Sequence, residues 1–325
     1  MPWVYPLAAP VAMVRHNHQM APLKPSTILL TKANAPMPEL PEVETVRLGL
    51  APVMSGAKIR RLEQRRPDLR FPFPADFAAR LENRRVLALR RRAKYLVADL
   101  EGDEALIMHL GMSGSFRVDD ATPGVFHHPR DRRAAHDHVV FHMESGARVT
   151  YNDPRRFGFM LLAPQAGLAR HALFRDLGME PLEAGLDAPT LARAFSGRKA
   201  PIKAVLLDQR IIAGLGNIYV CEALHRAGVS PRRAAGSLVG AGGRPGAALR
   251  RLPGAIRAVL EEALAAGGSS LRDHRQTDGA PGYFQHNFRV YDRAGVACPT
   301  SGCNGRIEKI VQSGRSTFHC PRCQK

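Results

Sequence analysis

No stretch of this 325-residue chain approaches the roughly 18 consecutive apolar residues that a membrane span needs, so no membrane partner is expected. The N-terminus also lacks a charged start followed by a short apolar core, which argues against a secretory signal and for a cytoplasmic protein. Acidic residues are scarce: 29 Asp and Glu against 47 Lys and Arg leave a formal charge of +18. Such an excess says nothing about fold. It points to a polyanionic partner, bound by phosphate neutralisation and counterion release, although a genome drifting toward Arg and Ala would give the same balance. Cysteines are few and odd in number, five in all; four lie in the last thirty residues and Cys221 stands alone. In a non-secreted chain that distribution favours metal binding over disulfides. The hydrophobic fraction of 45% is that of a folded soluble protein, and the length suits two domains with a sizeable core.

Residues 1–36 contain no Asp or Glu, hold several prolines and show no sustained periodicity; they read as a disordered or untranslated extension. Met37 directly precedes a patterned segment in which Pro41 suits a first helical turn, Glu42 and Glu44 complement the positive end, and Val43, Val46 and Leu50 form a stripe at helical spacing. From about 58 to 162 short apolar runs predict strands, among them 86–89, 95–98, 105–108, 138–141 and 157–160. Glu101-Gly102-Asp103 and Glu144-Ser145-Gly146 read as hairpin turns. After about 166 the period becomes helical, with candidates at 168–177, 189–195, 201–208, 217–227 and 247–266. Between two of them, 208–216 is too apolar for a solvent loop and reads as a compact double turn; 236–246 is Gly-rich and expected to be exposed. The fold class expected is α+β: an antiparallel β-sandwich or barrel behind an N-terminal helix, then an all-α segment, then a metal-bound tail. The expected division is 1–36, 37–165, 166–288 and 289–325.

The tail carries the most specific signal. Cys298 and Cys303 form one close pair, Cys320 and Cys323 another, with sixteen residues between the pairs. Four thiolates from two turns can close a tetrahedral zinc site and fold a short segment that has almost no core of its own. One structural Zn2+ is therefore expected, in a basic setting of Arg306, Lys309, Arg315, Arg322 and Lys325. A second basic stretch, Arg60 to Lys94, holds twelve Lys and Arg against four acids and reads either as a phosphate-facing surface or as a solvated strand face. The backbone N–H groups of 214–218, with the Asn217 amide, offer an anion site at a helix start.

Several segments together resemble bacterial formamidopyrimidine-DNA glycosylases. They are Met37-Pro38-Glu39-Leu40-Pro41-Glu42-Val43-Glu44-Thr45, Arg91-Arg92-Ala93-Lys94-Tyr95-Leu96, His109-Leu110-Gly111-Met112-Ser113-Gly114, Asp153-Pro154-Arg155-Arg156-Phe157-Gly158, Gly214-Leu215-Gly216-Asn217-Ile218-Tyr219 and the terminal Cys320-Pro321-Arg322-Cys323. The resemblance covers residues 37–325 in one order. It implies a helix with a two-sheet β-sandwich, a helix–two-turns–helix domain and a four-Cys zinc finger. It also implies a monomeric, nucleoid-associated base-excision-repair enzyme acting on damaged double-stranded DNA, with glycosylase and AP lyase (β,δ-elimination) activity on 8-oxoguanine and formamidopyrimidines.

The resemblance carries roles residue by residue. Pro38 matches the N-terminal nucleophile, whose free amine would form a Schiff base with the sugar. Glu39 matches the acid that protonates the opening sugar ring. Lys94 matches the lysine of phosphate contact and β-elimination, and Arg315 the finger arginine of the δ step. Asn217 would grip phosphate, Lys203 would lie near the damaged base, and His136 and Arg198 match further DNA-contacting positions. Met112, Arg155 and Phe157 match three side chains that fill the gap left by an extruded base, with Arg155 reading the orphaned cytosine. Simpler readings stay open: Pro38 as a helix-entry proline, Glu39 as a helix-start charge, Met112 and Phe157 as strand core. One departure matters. Pro38 is preceded by 37 residues, so its nitrogen is a tertiary amide with no lone pair to attack with; translation from Met37 with methionine removal, or cleavage of the extension, would free it. Two other functions remain in view, an endonuclease VIII-like glycosylase for oxidised pyrimidines and, with the extension retained, a non-catalytic zinc-dependent damaged-DNA binder.

Overall fold

A computed structural model describes residues 37–119, 134–269, 277 and 282–325; the expected extension 1–36 lies outside the described residues. Helix α1 (Leu40–Met54) is the first element and buries Val43, Val46 and Leu50, the stripe anticipated from their spacing, together with Met54. Then come β1 (Ile59–Gln64), α2 (Phe77–Leu81), β2 (Val86–Arg92), β3 (Tyr95–Leu100), β4 (Glu104–His109), β5 (Ser115–Asp119), β6 (Asp137–Met143), β7 (Arg148–Asn152) and β8 (Phe159–Pro164). They form two four-stranded antiparallel sheets, ordered β1-β6-β7-β5 and β2-β3-β4-β8. Leu96, Leu106, Met108 and Met160 of one sheet and Phe116, Val139, Phe141 and Tyr151 of the other share a core with the buried face of α1. The two predicted hairpin turns join β3 to β4 and β6 to β7.

Two expectations fail here for physical reasons. The run 157–160 is strand only from Phe159. Arg156 takes a left-handed backbone (φ 56°) and the Gly158 N–H is held by the Asp153 carboxylate, so the preceding residues turn. The run 168–177 contains a single 3-10 turn, Leu168–Arg170. Its apolar residues instead lie across the outer face of the second sheet, where Leu168, Leu173, Phe174 and Leu177 cover Val97, Ala105, Ile107 and Ala163.

The helical part comprises α3 (Ala188–Phe195), α4 (Ile202–Leu206), α5 (Asn217–Ala227) and α6 (Ala247–Ala265), packed through Leu224, Leu252, Ile256 and Leu260. Between α4 and α5 the predicted double turn buries Ile211, Ile212, Ala213 and Leu215. The Gly-rich segment 236–246 is mostly exposed but anchored by buried Leu238. No helix among the described residues is long and apolar enough to cross a membrane. The chain ends in a hairpin, β9 (Glu308–Gln312) and β10 (Arg315–His319), whose Phe318 packs with Val290, Ile307 and Cys221 of α5. Cys221, solitary in the sequence, is thus core between α5 and the hairpin.

A single buried carboxylate fixes the approach to this hairpin. Glu222 of α5 accepts the backbone N–H groups of Arg289, Val290 and Tyr291 at 2.8 to 3.1 Å. Glu222→Ala should leave those donors unpaired and cost about 3 kcal/mol or more, at 1–3 kcal/mol per unsatisfied group. The check is a lower unfolding temperature together with faster amide exchange at 289–291; unchanged exchange there would refute it.

Candidate active site

The site lies where α1, the β2–β3 turn, the start of α5 and the β9–β10 hairpin converge. Pro38 and Glu39 are buried just before α1. The Leu40 N–H donates to the Gly214 carbonyl at 3.2 Å, which ties the start of α1 to the double turn. The Glu39 Oε1 accepts the Ile218 N–H at 3.0 Å, while its Oε2 has no partner. Gly216 makes this approach possible, since a Cβ there would come within 2.2 Å of the Glu39 carboxyl carbon. The expected anion site at the start of α5 is therefore real in form but filled by the protein's own carboxylate.

Electrostatics set the state of that carboxylate. Burial pushes the Glu39 carboxyl up to about 7, against the pull of nearby Lys94 and of the Ile218 and Tyr219 N–H groups. A carboxyl group at that value holds its proton near neutral pH, as a general acid requires. Lys94 sits in the turn after Ala93, whose φ is 52°. Burial moves its ammonium below the usual lysine range, with Glu39 opposing and Arg315 adding to the shift. Arg315 stands exposed at the start of β10.

Asn217 and Lys203 join this group. The Asn217 Nδ2 donates to the Ser316 carbonyl at 3.0 Å and its Oδ1 is buried without a partner. The Lys203 ammonium donates to Thr317 Oγ1 at 2.7 Å and to the Ser316 carbonyl at 3.2 Å; burial lowers its pKa. Both therefore clamp β10 against the helical part.

A second group forms on two loops of the sandwich. Met112 is half-buried after β4; Arg155 and Phe157 lie between β7 and β8, the Arg155 guanidinium 4.9 Å over the Phe157 ring. Phe157 is 42% exposed, so it is not strand core. His136 joins the same region, its carbonyl accepting the Asp153 N–H at 3.1 Å. Arg198 is the outlier: it is exposed in the turn after α3 and donates to the Ala194 carbonyl.

The basic run before Lys94 is largely paired. Arg90 binds Asp99, Arg91 binds Glu44 and Glu180, and Arg92 binds Glu180, whose carboxylate also accepts the Ala93 N–H at 2.6 Å. These arginines position the Lys94 turn and are not a free phosphate-facing strip.

Sequence reasoning passed over three other participants. Glu42, read only as a helix-start charge, is buried and accepts the Glu39 N–H, the Tyr219 hydroxyl, and both the N–H and the hydroxyl of Ser269. A reciprocal Glu-x-x-Glu at a helix start was the available signal. His109 accepts the Gly111 N–H on Nδ1 and stacks on Phe159 with centroids 5.2 Å apart; burial depresses its pKa to about 4, with Lys94 and Arg70 adding to the effect. Asp153 is buried between the two loops of the second group. Their signal is tertiary and has no periodicity.

The four tail sulfurs lie within 4.8 Å of one another, with Cys298–Cys323 at 3.7 Å and Cys303–Cys320 at 3.6 Å. A tetrahedral zinc with bonds of about 2.3 Å spaces its sulfurs by roughly 3.8 Å. The donor set and spacing fit one structural Zn2+, with no open position for chemistry.

Three family models match in sequence order: the formamidopyrimidine-DNA glycosylase N-terminal domain over residues 37–160, its H2TH domain over 177–275, and a zinc finger found in FPG and IleRS over 298–325. The formamidopyrimidine-DNA glycosylase of Methylocella silvestris is 65% identical over 292 residues, which take in 89% of this chain and all of that protein; the Sinorhizobium fredii protein is 63% identical over 296 residues with the same coverage. Among solved structures, MutM (Fpg) of Thermus thermophilus is 40% identical with a TM-score of 0.73, covering 88% of this chain and 98% of its own. Lactococcus lactis FPG bound to Fapy-dG-containing DNA is 31% identical with a TM-score of 0.76, covering 89% and 100%. With a buried acid at the start of α1, a double turn before α5 and a four-sulfur finger in one chain, the protein belongs to the formamidopyrimidine-DNA glycosylase family and is a DNA glycosylase.

Proposed function

We propose that this chain, with its Pro38 nitrogen free, excises oxidised purines (8-oxoguanine and formamidopyrimidines) from duplex DNA and cleaves the strand at the resulting site. The observation that carries the reading is Glu39: a buried carboxyl group shifted to about 7 and adjacent in sequence to Pro38. The neutral Pro38 amine attacks sugar C1′ and the damaged base leaves with the bonding electrons. The new ammonium loses its proton, and Glu39 protonates the ring oxygen as the C1′–O bond opens, leaving an iminium. The iminium acidifies C2′, so the 3′ phosphate departs by β-elimination and the 5′ phosphate by δ-elimination. Lys94 serves the first elimination and Arg315 the second. Asn217, Lys203, His136 and Arg198 contact the DNA, and Met112, Arg155 and Phe157 enter the stack opposite the extruded base. Zinc, held by Cys298, Cys303, Cys320 and Cys323, supplies folding of the finger that carries Arg315. We take 37–165, 166–288 and 289–325 as the working domains, the enzyme as a nucleoid-associated monomer, and Pro38 as the first residue of its active form. The whole length of the relatives matches 89% of this chain, and the first family match starts at residue 37, which supports that start.

Borohydride trapping tests the reading. The protein beginning at Pro38 should become covalently linked to an 8-oxoguanine duplex, and the protein beginning at Met1 should not. Absence of a cross-link with the Pro38 form overturns the mechanism, and cleavage of thymine glycol but not 8-oxoguanine replaces the substrate class with oxidised pyrimidines.

The pH profile follows from the two groups. Excision needs Glu39 protonated, which is lost as pH rises through about 7, and the amine neutral, which is gained through about 8. Single-turnover rates should peak between these values and fall on both sides. Glu39→Gln should lower the peak by about 10²–10⁴ and remove the alkaline limb; an alkaline limb that survives unchanged would assign it elsewhere.

Cys320→Ala should leave the protein with less than one zinc per chain and weaken duplex binding. Full zinc content with unchanged affinity would exclude the four-sulfur site.

A further inference from the structure

The three side chains proposed to fill the gap stand on two loops, and one buried carboxylate joins those loops. Asp153 has no solvent exposure. Its Oδ1 accepts the Ser113 hydroxyl at 2.5 Å, from the loop that carries Met112. Its Oδ2 accepts the Gly158 N–H at 2.8 Å and the Tyr151 hydroxyl at 3.2 Å. Ser113 Oγ accepts the Arg155 N–H at 3.1 Å, so the chain of bonds runs from one loop through Asp153 and back to Arg155. The Asp153 carbonyl meets His138 Nε2 at 2.9 Å. The loops also touch backbone to backbone: Gly111 has a φ of 64°, and a Cβ there would come within 2.3 Å of the Phe157 carbonyl carbon.

We propose that Asp153 is a positioning residue for recognition of the base opposite the lesion, holding Met112, Arg155 and Phe157 as one unit. The inference rests on the gap-filling role proposed for those three. A carboxylate suits the task because both of its oxygens face donors. Among the described residues the donors to its carboxylate are the neutral Ser113, Tyr151 and Gly158 groups, so the charge is spent on orienting hydrogen bonds and not on an ion pair. An amide in its place can accept on only one side. It would keep its oxygen on the Gly158 N–H, which can only donate, and turn its NH2 toward Ser113. The Ser113 hydroxyl would then lose the charged acceptor that orients it, and its oxygen would accept both the new NH2 and the Arg155 N–H, so Arg155 would hang on an oxygen that the carboxylate no longer fixes.

The readout is the ratio of excision efficiency for 8-oxoguanine opposite cytosine to that opposite adenine, in the protein beginning at Pro38. Asp153→Asn should lower this ratio roughly tenfold, as expected for loss of one hydrogen bond to a charged group. Borohydride trapping on a preformed abasic duplex, which needs no reading of the opposite base, should be unchanged. Ser113→Ala should have the same effect without altering the carboxylate, and it decides the matter if Asp153→Asn does not fold. Adding Asp153→Asn to Arg155→Ala should cause no further loss, because the two act through one path. If Arg155→Ala lowers the ratio but Asp153→Asn and Ser113→Ala do not, the positioning role is wrong and the gap-filling reading stands. If Arg155→Ala itself leaves the ratio unchanged, the gap-filling reading falls and the proposal falls with it. Equal loss of excision and abasic trapping in the Asp153 and Ser113 variants would mark a general structural role and also overturn it.

Discussion

Two carboxylates three residues apart govern how the halves of this molecule meet. Glu42 is buried with four donors on it, from Glu39, Tyr219 and Ser269, which lie on three separate segments. Such a group is held in place: removing any partner strands a buried polar atom. Glu39 is buried beside it but is held by backbone N–H groups alone, the Ile218 N–H nearest at 3.0 Å, and one of its oxygens is left without a partner. The unequal distribution of donors gives one acid a structural task and leaves the other able to carry a proton. Both contacts cross from the start of α1 to the start of α5, so the proposed chemistry sits on the seam between sandwich and helices. Packing the seam and raising Glu39 to about 7 are one event, because the burial that closes the seam is the largest cause of the shift.

The same logic explains where the positive charge goes. A formal charge of +18 suggests a surface strewn with phosphate contacts, yet the most conspicuous basic run is spent internally. Arg91 and Arg92 converge on Glu180, which also holds the Ala93 N–H and so sets the left-handed turn that presents Lys94. A lysine brought this far out of solvent needs an ordered turn beneath it, and three bonds to one carboxylate provide that order. Lys203 shows the same economy, its ammonium bound to Thr317 and Ser316 of the finger strand that carries Arg315.

What was legible in the sequence is what repeats or has fixed spacing. The stripe of α1, the bounds of α5, the two hairpin turns and the paired cysteines all follow from periodicity or local spacing. Segment 168–177 shows the limit. Its leucines have helical spacing, but the outer face of β2-β3-β4-β8 claims them, and a local pattern contains no trace of that face. Glu42, Asp153 and Glu180 were opaque for a related reason. Each binds at least one donor far away in sequence, and an acid beside an arginine or at a helix start reads the same whether it is solvated or buried. Even the double turn before α5 was read correctly as structure and incompletely as chemistry. The N–H groups at the start of α5 do meet an acidic group, and that group is the Glu39 carboxyl.

The two groups of functional side chains are mounted differently. Glu39, Asn217, Lys203 and Lys94 start helices, lie within them or cap a hairpin, all pinned by the seam. The chemistry proposed for them needs atoms held to within about 0.5 Å, which rigid elements supply. Met112, Arg155 and Phe157 stand on loops, which suits the entry into a base stack proposed for them, since such side chains must reach beyond the sheet edge. Loops alone would leave these three side chains independent of one another. The Asp153 carboxylate between them removes that independence without adding secondary structure, because each of its hydrogen bonds joins elements that the sheets already bring within reach. The sandwich therefore supplies rigidity twice over: directly, through the sheet that ends in the Lys94 turn, and indirectly, through one buried charge at the base of two loops.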